Sequence, residues 1–316
     1  MITKVVERPG SFEWIDVTDP TRTELEQIAQ GYGLHATSVK DCLDPEHLPK
    51  YERIADLHFV ILRSFDENCS AEGDTVQELT RKVAIFYTDK FVITIHRTPH
   101  PYLDKIKERW IEQHIKTSTA PASYLVFDIF TEVFKSYDKP IDHALDELEK
   151  LEMAVFSAPG SAPFDMEQGY YLKRQAAVFK RIIRASADQL PKLMTHLQVG
   201  APQFQDLKEQ TDSLFFYSDE LTESINTLLN LHISLAAQKT NEASRHTNEV
   251  MRVLTVFSVF MLPLNVIAGI YGMNFEFMPE LRSQWGYPAV LVLMIGTEFA
   301  IYVWFKRKGW LHRENI

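Results

Sequence analysis

The chain has 316 residues, 45 % hydrophobic and 24 % charged, enough to bury a large core in more than one structural unit and too apolar for a disordered polymer. A formal net charge of -10 argues against the basic face that phosphate-backbone binding needs, so no nucleic-acid partner is expected and cationic partners are favoured. Cys42 and Cys69 have neither metal-ligand spacing nor the density of a disulfide framework and read as idle thiols in a reducing setting.

The opening "MITKVVERPGSFEW" lacks an apolar run, so no cleavable signal peptide is expected. Residues 1–100 read as an α/β domain. "FEWIDVT" and "DLHFVILRSF" are strand-like, "KVAIFYT" and "FVITIHR" suggest a hairpin across "DK", and "PTRTELEQIAQGYGL" predicts a helix from Pro20 to Gly33. From 101 to 203 the pattern is helical and is expected to pack on that domain. "ASYLVFDIFTEVFKSYDKPIDHALDELEKLEMAVF" is one long amphipathic pattern, broken at Pro159, Gly160 and Pro163, and "MEQGYYLKRQAAVFKRIIRASADQLPKLMTH" runs back.

Between Phe204 and Gly269 the only helix breaker is Pro263, which predicts one helix about 100 Å long, with 204–252 as a stalk. Within it "TNEASRH" is followed at once by "TNEVMRV", a heptad repeat that favours self-association around an axis. Residues 253–273 and 287–305 are apolar runs of about 21 and 19 residues, near the length that spans hydrocarbon, with Trp285, Tyr287, Trp304 and Trp310 at interface positions. Arg245 and Arg252 precede the first span and Lys306, Arg307 and Lys308 follow the second, whereas the 274–286 loop offers Arg282 against Glu276 and Glu280. That bias puts both termini and the basic 306–316 tail in the cytoplasm and the loop outside.

Two spans per chain cannot enclose water, so conduction would require one span from each of several subunits around an axis. Asn248, Met251, Thr255, Ser258, Leu262, Asn265, Gly269 and Gly272 fall at spacings of three or four on one helix face, without an acidic residue. Such a stripe suits a cation that keeps its hydration water, or equally a close-packing face of small residues. Pro263 removes the usual donor to the Val259 carbonyl, and Glu298 is a mid-span carboxylate without an assigned role.

Gly272, Met273 and Asn274 stand at the outer end of the first span. With "NEVMRVLT", "PLNVIAGIYGMNFEFMPEL", "WGYP" and "FKRKGWL", and with "WIDVTDP", "YGLHATSVKDCL" and "LPKYE" near the start, the chain resembles the CorA family of magnesium transporters over most of its length. The resemblance implies an α+β membrane protein: a homopentameric funnel with cytoplasmic α/β domains, stalk helices continuing into pore-lining first spans, and peripheral second spans, multi-pass in the cytoplasmic (inner) membrane. It implies selection of hydrated Mg²⁺ by a ring of Asn274 with Gly272 and Met273, and a pore lined by Asn248, Met251, Leu262, Asn265 and Gly269, of which Met251 and Leu262 form hydrophobic constrictions. Asn265 departs from the family, where many relatives carry Thr. The resemblance further implies regulatory Mg²⁺ between cytoplasmic domains, held by Asp206 with Asp66 or Glu67. Lys306, Arg307 and Lys308 then resemble a basic ring opposed by acidic helix faces such as Asp142, Asp146 and Glu149.

Glu276 and Glu280 either gather cations electrostatically or keep the loop solvated. The expected function is Mg²⁺ influx, with Co²⁺ and Ni²⁺ as similar hydrated cargo, in contact with membrane lipid. The alternatives are a zinc transporter of the same superfamily, proton-coupled, and a non-transporting membrane-anchored scaffold. Met273 favours magnesium, since zinc-moving relatives usually replace that residue. No phosphate-cradling Gly-rich loop is present, and no enzyme is expected.

Overall fold

Successive side chains of a strand point to opposite faces, so a near-continuous apolar run lets one sheet bury both, and the N-terminal third uses such runs repeatedly. The computed structural model describes residues 1–8, 12–112, 121–156, 164–275 and 278–310. The chain divides into two units, Met1–His232 and Ile233–Ile316.

In the first unit the strands are β1 (Ile2–Arg8), β2 (Phe12–Thr18), β3 (Lys50–Ile54), β4 (Leu57–Phe65), β5 (Thr80–Tyr87) and β6 (Phe91–His96), in the order β1-β2-β6-β5-β4-β3. Among the described strands only the β2/β6 pair is parallel; the others are antiparallel, and β5 and β6 form the predicted hairpin. One face carries Ile15, Val17, Phe59, Ile61, Phe86 and Ile93, covered by α1 (Arg22–Tyr32) and α2 (Ala36–Leu43). The opposite face, with Trp14, Val60, Leu62, Ile85 and Val92, packs on helices that follow the sheet. These helices are α4 (Pro101–Glu112), α5 (Pro121–Lys135), α6 (Asp138–Phe156), α7 (Met166–Ala187), α8 (Leu190–Met194) and the start of α9 (Ala201–Tyr271), after a short α3 (Val76–Leu79) between β4 and β5.

Helix α1 begins at Arg22, two residues after the expected start at Pro20. Thr21, not Pro20, is the cap: its hydroxyl accepts from the Glu24 amide at 3.2 Å while the Glu24 carboxylate accepts from the Thr21 amide at 2.8 Å. Gly33 ends the helix at φ +65, a left-handed conformation that other residues adopt at a cost. The long amphipathic run after Pro121 is two helices. Ser136 and Tyr137 break it because both are drawn to β4: the Tyr137 hydroxyl donates to the Arg63 carbonyl at 2.8 Å, and the Phe65 amide donates to Ser136 Oγ at 2.9 Å. Likewise the run from Met166 breaks at Asp188 and Gln189, ahead of Pro191 in α8.

Two polar hubs fix the sheet. Arg63 is 2 % exposed and donates to Thr80 Oγ1 and to the carbonyls of Pro45, His47, Val76 and Thr80, pinning the flanking loops to β4. Asp16, also 2 % exposed, accepts from Thr94 Oγ1 at 2.5 Å, His96 Nε2 at 3.1 Å and Lys107 Nζ at 2.8 Å, joining β2, β6 and α4.

Along α9, Phe204, Leu207, Thr211, Leu214, Ser218, Leu221, Ile225 and Leu228 are buried at alternating spacings of three and four, a heptad seam. Its later part meets Ala144, Leu148 and Leu151 of α6 and Leu172 and Ala176 of α7. In the second unit α9 runs to Tyr271, followed by a 3₁₀ turn, Pro279–Arg282, and by α10 (Gly286–Arg307). Both helices are long and apolar enough to cross a membrane.

Candidate functional site: the C-terminal end and polar face of helix α9

Within the second unit, helix periodicity sorts α9 into two faces. Val256, Val259, Phe260, Pro263, Leu264, Ile267 and Tyr271, one or two in each helical turn, are partly covered. The Phe260 ring lies 5.9 Å from Phe305 of α10, so this is the face that meets the second helix. Asn248, Met251, Thr255, Ser258, Leu262, Asn265, Gly269 and Gly272 are all exposed, on the side away from α10. Pro263 lies on the covered face, and the helix continues through it.

The chemistry of the exposed stripe follows from how its donors are used. Thr255 Oγ1 donates to the Met251 carbonyl at 2.8 Å and Ser258 Oγ to the Leu254 carbonyl at 2.9 Å. Each hydroxyl proton is thereby spent on the helix, and the oxygen lone pairs are left outward as acceptors for a hydrated cation. Met251 and Leu262, 57 % and 63 % exposed, are the bulky apolar members, separated by those hydroxyls.

At its C-terminal end the helix tightens. The Gly272 amide donates to the Ala268 carbonyl at 2.9 Å and the Met273 amide to the Ile270 carbonyl at 3.2 Å. A Cβ at Gly272 would lie 3.1 Å from the Ala268 oxygen, so glycine permits this closing turn without displacing backbone. Asn274 follows directly, exposed and beyond the helix. Of the two loop carboxylates, Glu276 lies outside the described residues, as does the side chain of Glu280. On α10, Glu298 Oε1 is buried without a hydrogen-bond partner among the described residues.

The C-terminal end of α10 is a built corner that the sequence reading did not identify. Gly309 sits at φ +75; its amide donates to the Lys306 carbonyl at 3.2 Å and the Trp310 amide to the Phe305 carbonyl at 3.1 Å. Trp310 thereby folds back, its ring 5.4 Å from Phe305 and 6.1 Å from Trp304. The signal was present in "KGW": a glycine after a basic last turn, then an apolar residue. Lys306, Arg307 and Lys308 occupy the turn that this corner closes.

The regulatory candidates lie in the first unit. Asp206 is exposed near the start of α9. Asp66 and Glu67, just after β4, differ in their surroundings: Asp66 Oδ1 is 2.7 Å from Arg81 Nη2 and accepts from the Asn68 amide, whereas Glu67 is exposed. Arg81 reaches Asp66 because the β4/β5 register sets it opposite Ser64, a long-range pairing invisible in local sequence. Asp142, Asp146 and Glu149 are exposed along α6.

Comparison with known proteins gives one answer at three levels. The family model described as "CorA-like Mg2+ transporter protein" matches residues 9–307. A cobalt/magnesium transport protein CorA of Thermotoga maritima is 29 % identical over 307 residues, covering 94 % of this chain and 83 % of that one. Among solved structures, the complete CorA magnesium transporter of Methanocaldococcus jannaschii shares the fold with a TM-score of 0.63 at 22 % identity, covering 97 % of this chain and 93 % of that one. The ZntB cytoplasmic domain of Vibrio parahaemolyticus also shares it over 74 % of this chain and 91 % of that one, with a TM-score of 0.56 at 15 % identity. With the match running through the sheet, α9 and both apolar helices, the chain belongs to the CorA-like Mg²⁺ transporter protein family.

Proposed function

We propose that the protein is a Mg²⁺ channel of the cytoplasmic membrane, passing Co²⁺ and Ni²⁺ as similarly hydrated cargo, and that it works as a homopentamer with both termini in the cytoplasm. The observation that carries the reading is the placement of Gly272, Met273 and Asn274 at the end of α9, continuous with an exposed polar stripe on the side away from α10. Five such stripes around an axis enclose a path of amide, hydroxyl and backbone oxygens. Mg²⁺ dehydrates reluctantly, so a ring of Asn274 amides that hydrogen-bonds its hydration shell selects it without the cost of stripping water. Met251 and Leu262 narrow the path and close it by dewetting. Glu276 and Glu280 raise the local cation concentration at the mouth. Cytoplasmic Mg²⁺ bound between neighbouring subunits, with Asp206 among its ligands and Glu67 or Asp66 opposite, holds the closed state. The basic triad Lys306, Arg307 and Lys308 rings the inner mouth.

The test is flux into liposomes holding purified full-length protein and a Mg²⁺ indicator. Mg²⁺ entry driven by membrane potential is expected, and Asn274→Ala is expected to abolish it while the oligomer elutes unchanged. Normal uptake in that variant removes Asn274 from the pore mouth. A parallel arm with Zn²⁺ and an imposed pH gradient separates the zinc reading, because only a proton-coupled carrier responds to the gradient.

A further inference from the structure

The first unit contains a cavity of about 960 Å³ between the segment following β4, α6 and α7, at the upper end of the roughly 300–1,000 Å³ range of pockets that hold small molecules. Its floor is apolar, made by Phe65, Leu79, Leu172 and Phe179. Its walls carry opposite charges. Lys139 and His143 stand one turn apart on α6, with Lys135 at the end of α5, while Glu67 and Glu72 of the loop and Glu167 of α7 line the other sides.

These charges are only partly neutralised. Lys135 lies 3.9 Å from Glu132 and His143 lies 4.0 Å from Glu147, which also lines the cavity, while among the described residues Lys139 has no ion pair and none joins the α6 wall to Glu67, Glu72 or Glu167. The remaining carboxylates are committed elsewhere. Asp165 caps α7 by accepting from the Glu167 and Gln168 amides, and Glu147 takes Lys150 and Gln168. The walls themselves are tied in place, since Gln175 Nε2 donates to the carbonyls of Ala71 and Gly73 and fastens the loop to α7.

A plain anion placed here meets Glu67, Glu72 and Glu167, and a plain cation meets Lys135 and Lys139. The complement is a ligand with an anionic edge, a cationic edge and a flat apolar body. We propose that the cavity binds the Mg²⁺ chelate of a nucleoside polyphosphate, with phosphates toward Lys135, Lys139 and His143, the hydrated metal toward the carboxylates, and the base on the apolar floor beside Tyr171. This is a site separate from the ion path, and its occupancy is read by binding alone, independently of transport.

The experiment uses the full-length protein in detergent and the fluorescent nucleotide MANT-ATP, followed by anisotropy. Saturable binding with Mg²⁺ present is expected, lost with EDTA, weakened about tenfold or more (about 1.4 kcal/mol) by Lys139→Glu and weakened by Glu72→Gln. Lys192→Glu, an exposed charge reversal on α8, is expected to leave binding unchanged. Lys139 and Glu72 are exposed, so the variants are expected to retain the thermal midpoint and elution volume that certify folding. Absence of saturable binding, affinity unchanged in Lys139→Glu or with EDTA, or displacement by inorganic tripolyphosphate at equal affinity each overturns the proposal.

Discussion

Asp16 keeps a charge where the sheet gives it almost no water, so its environment must supply what solvent does not. Burial alone would raise its pKa, but hydrogen bonds and charge from His96, with Lys107 and Thr94, outweigh it and hold the carboxyl at about 2, below the ordinary 3.8. A depressed acid contributes stability that is present above the unfolded value and is lost as pH falls through the folded one, here between about pH 4 and pH 2; a shift of this size is worth about 2 kcal/mol. Asp16→Asn is therefore expected to lower the unfolding midpoint of the full-length protein at pH 7 and to flatten its pH dependence across that window, measured by thermal melts in detergent. A half-buried group acts at milder pH. His58 is held down to about 4 by burial and by the neighbouring His196 ring, 5.0 Å away. Its neutral form is the stable one, so protonation destabilises the fold as pH drops from its unfolded value near 6.5 toward 4. His58→Phe is expected to raise the midpoint at pH 5 relative to wild type more than at pH 8, and an equal effect at both pH values would remove His58 from acid sensitivity.

At the scale of elements, α9 and α10 show what one sequence discloses and what it withholds. The absence of breakers before Pro263, and runs of membrane length carrying at most one charge, made both helices legible, because helix continuity is a local property. The exposed stripe was legible as a three-and-four spacing, but which face met α10 was not; that depends on Phe260 reaching Phe305, a contact between helices. The split of the run after Pro121 was illegible for the same reason, since Ser136 and Tyr137 answer to β4. Asp66 looked free for a metal until the β4/β5 register brought Arg81 to it. The corner at Gly309 carries the element-scale prediction. Its two returning hydrogen bonds and the Trp310–Phe305 contact require a left-handed residue, which costs a side-chain-bearing residue roughly 1–2 kcal/mol. Thermal melts of the purified protein are expected to rank Gly309→Val below Gly309→Ala and both below Gly309→Asn, because asparagine tolerates the conformation best. A flat ranking would mean that the corner contributes nothing to α10.

For the whole molecule, the proposed regulation asks one helix to serve two equilibria. Near its start α9 carries Asp206, exposed, and toward its end it carries the candidate pore stripe, so a change in how neighbouring subunits are held at Asp206 has a continuous helix through which to act. Helix continuity alone does not couple the two sites; coupling requires that cytoplasmic Mg²⁺ bind one state of the assembly more tightly than the other. In the proposed assembly, acidic walls facing each other across neighbouring subunits would supply that difference, since they repel without the cation and are bridged with it. Replacing Asp206 by Ala removes a ligand and one negative charge, weakening the cation's preference for the closed state while leaving Asn274 and the stripe untouched. In patches or liposomes with controlled internal Mg²⁺, half-inhibition is expected to move at least about fivefold higher in Asp206→Ala, the low end of typical coupling energies. Asp206→Glu, which keeps the charge, is expected to restore most of the sensitivity. If Asp206→Ala is inhibited at the wild-type concentration, Asp206 does not bind the regulatory ion; if both variants lose flux altogether, its role lies in assembly.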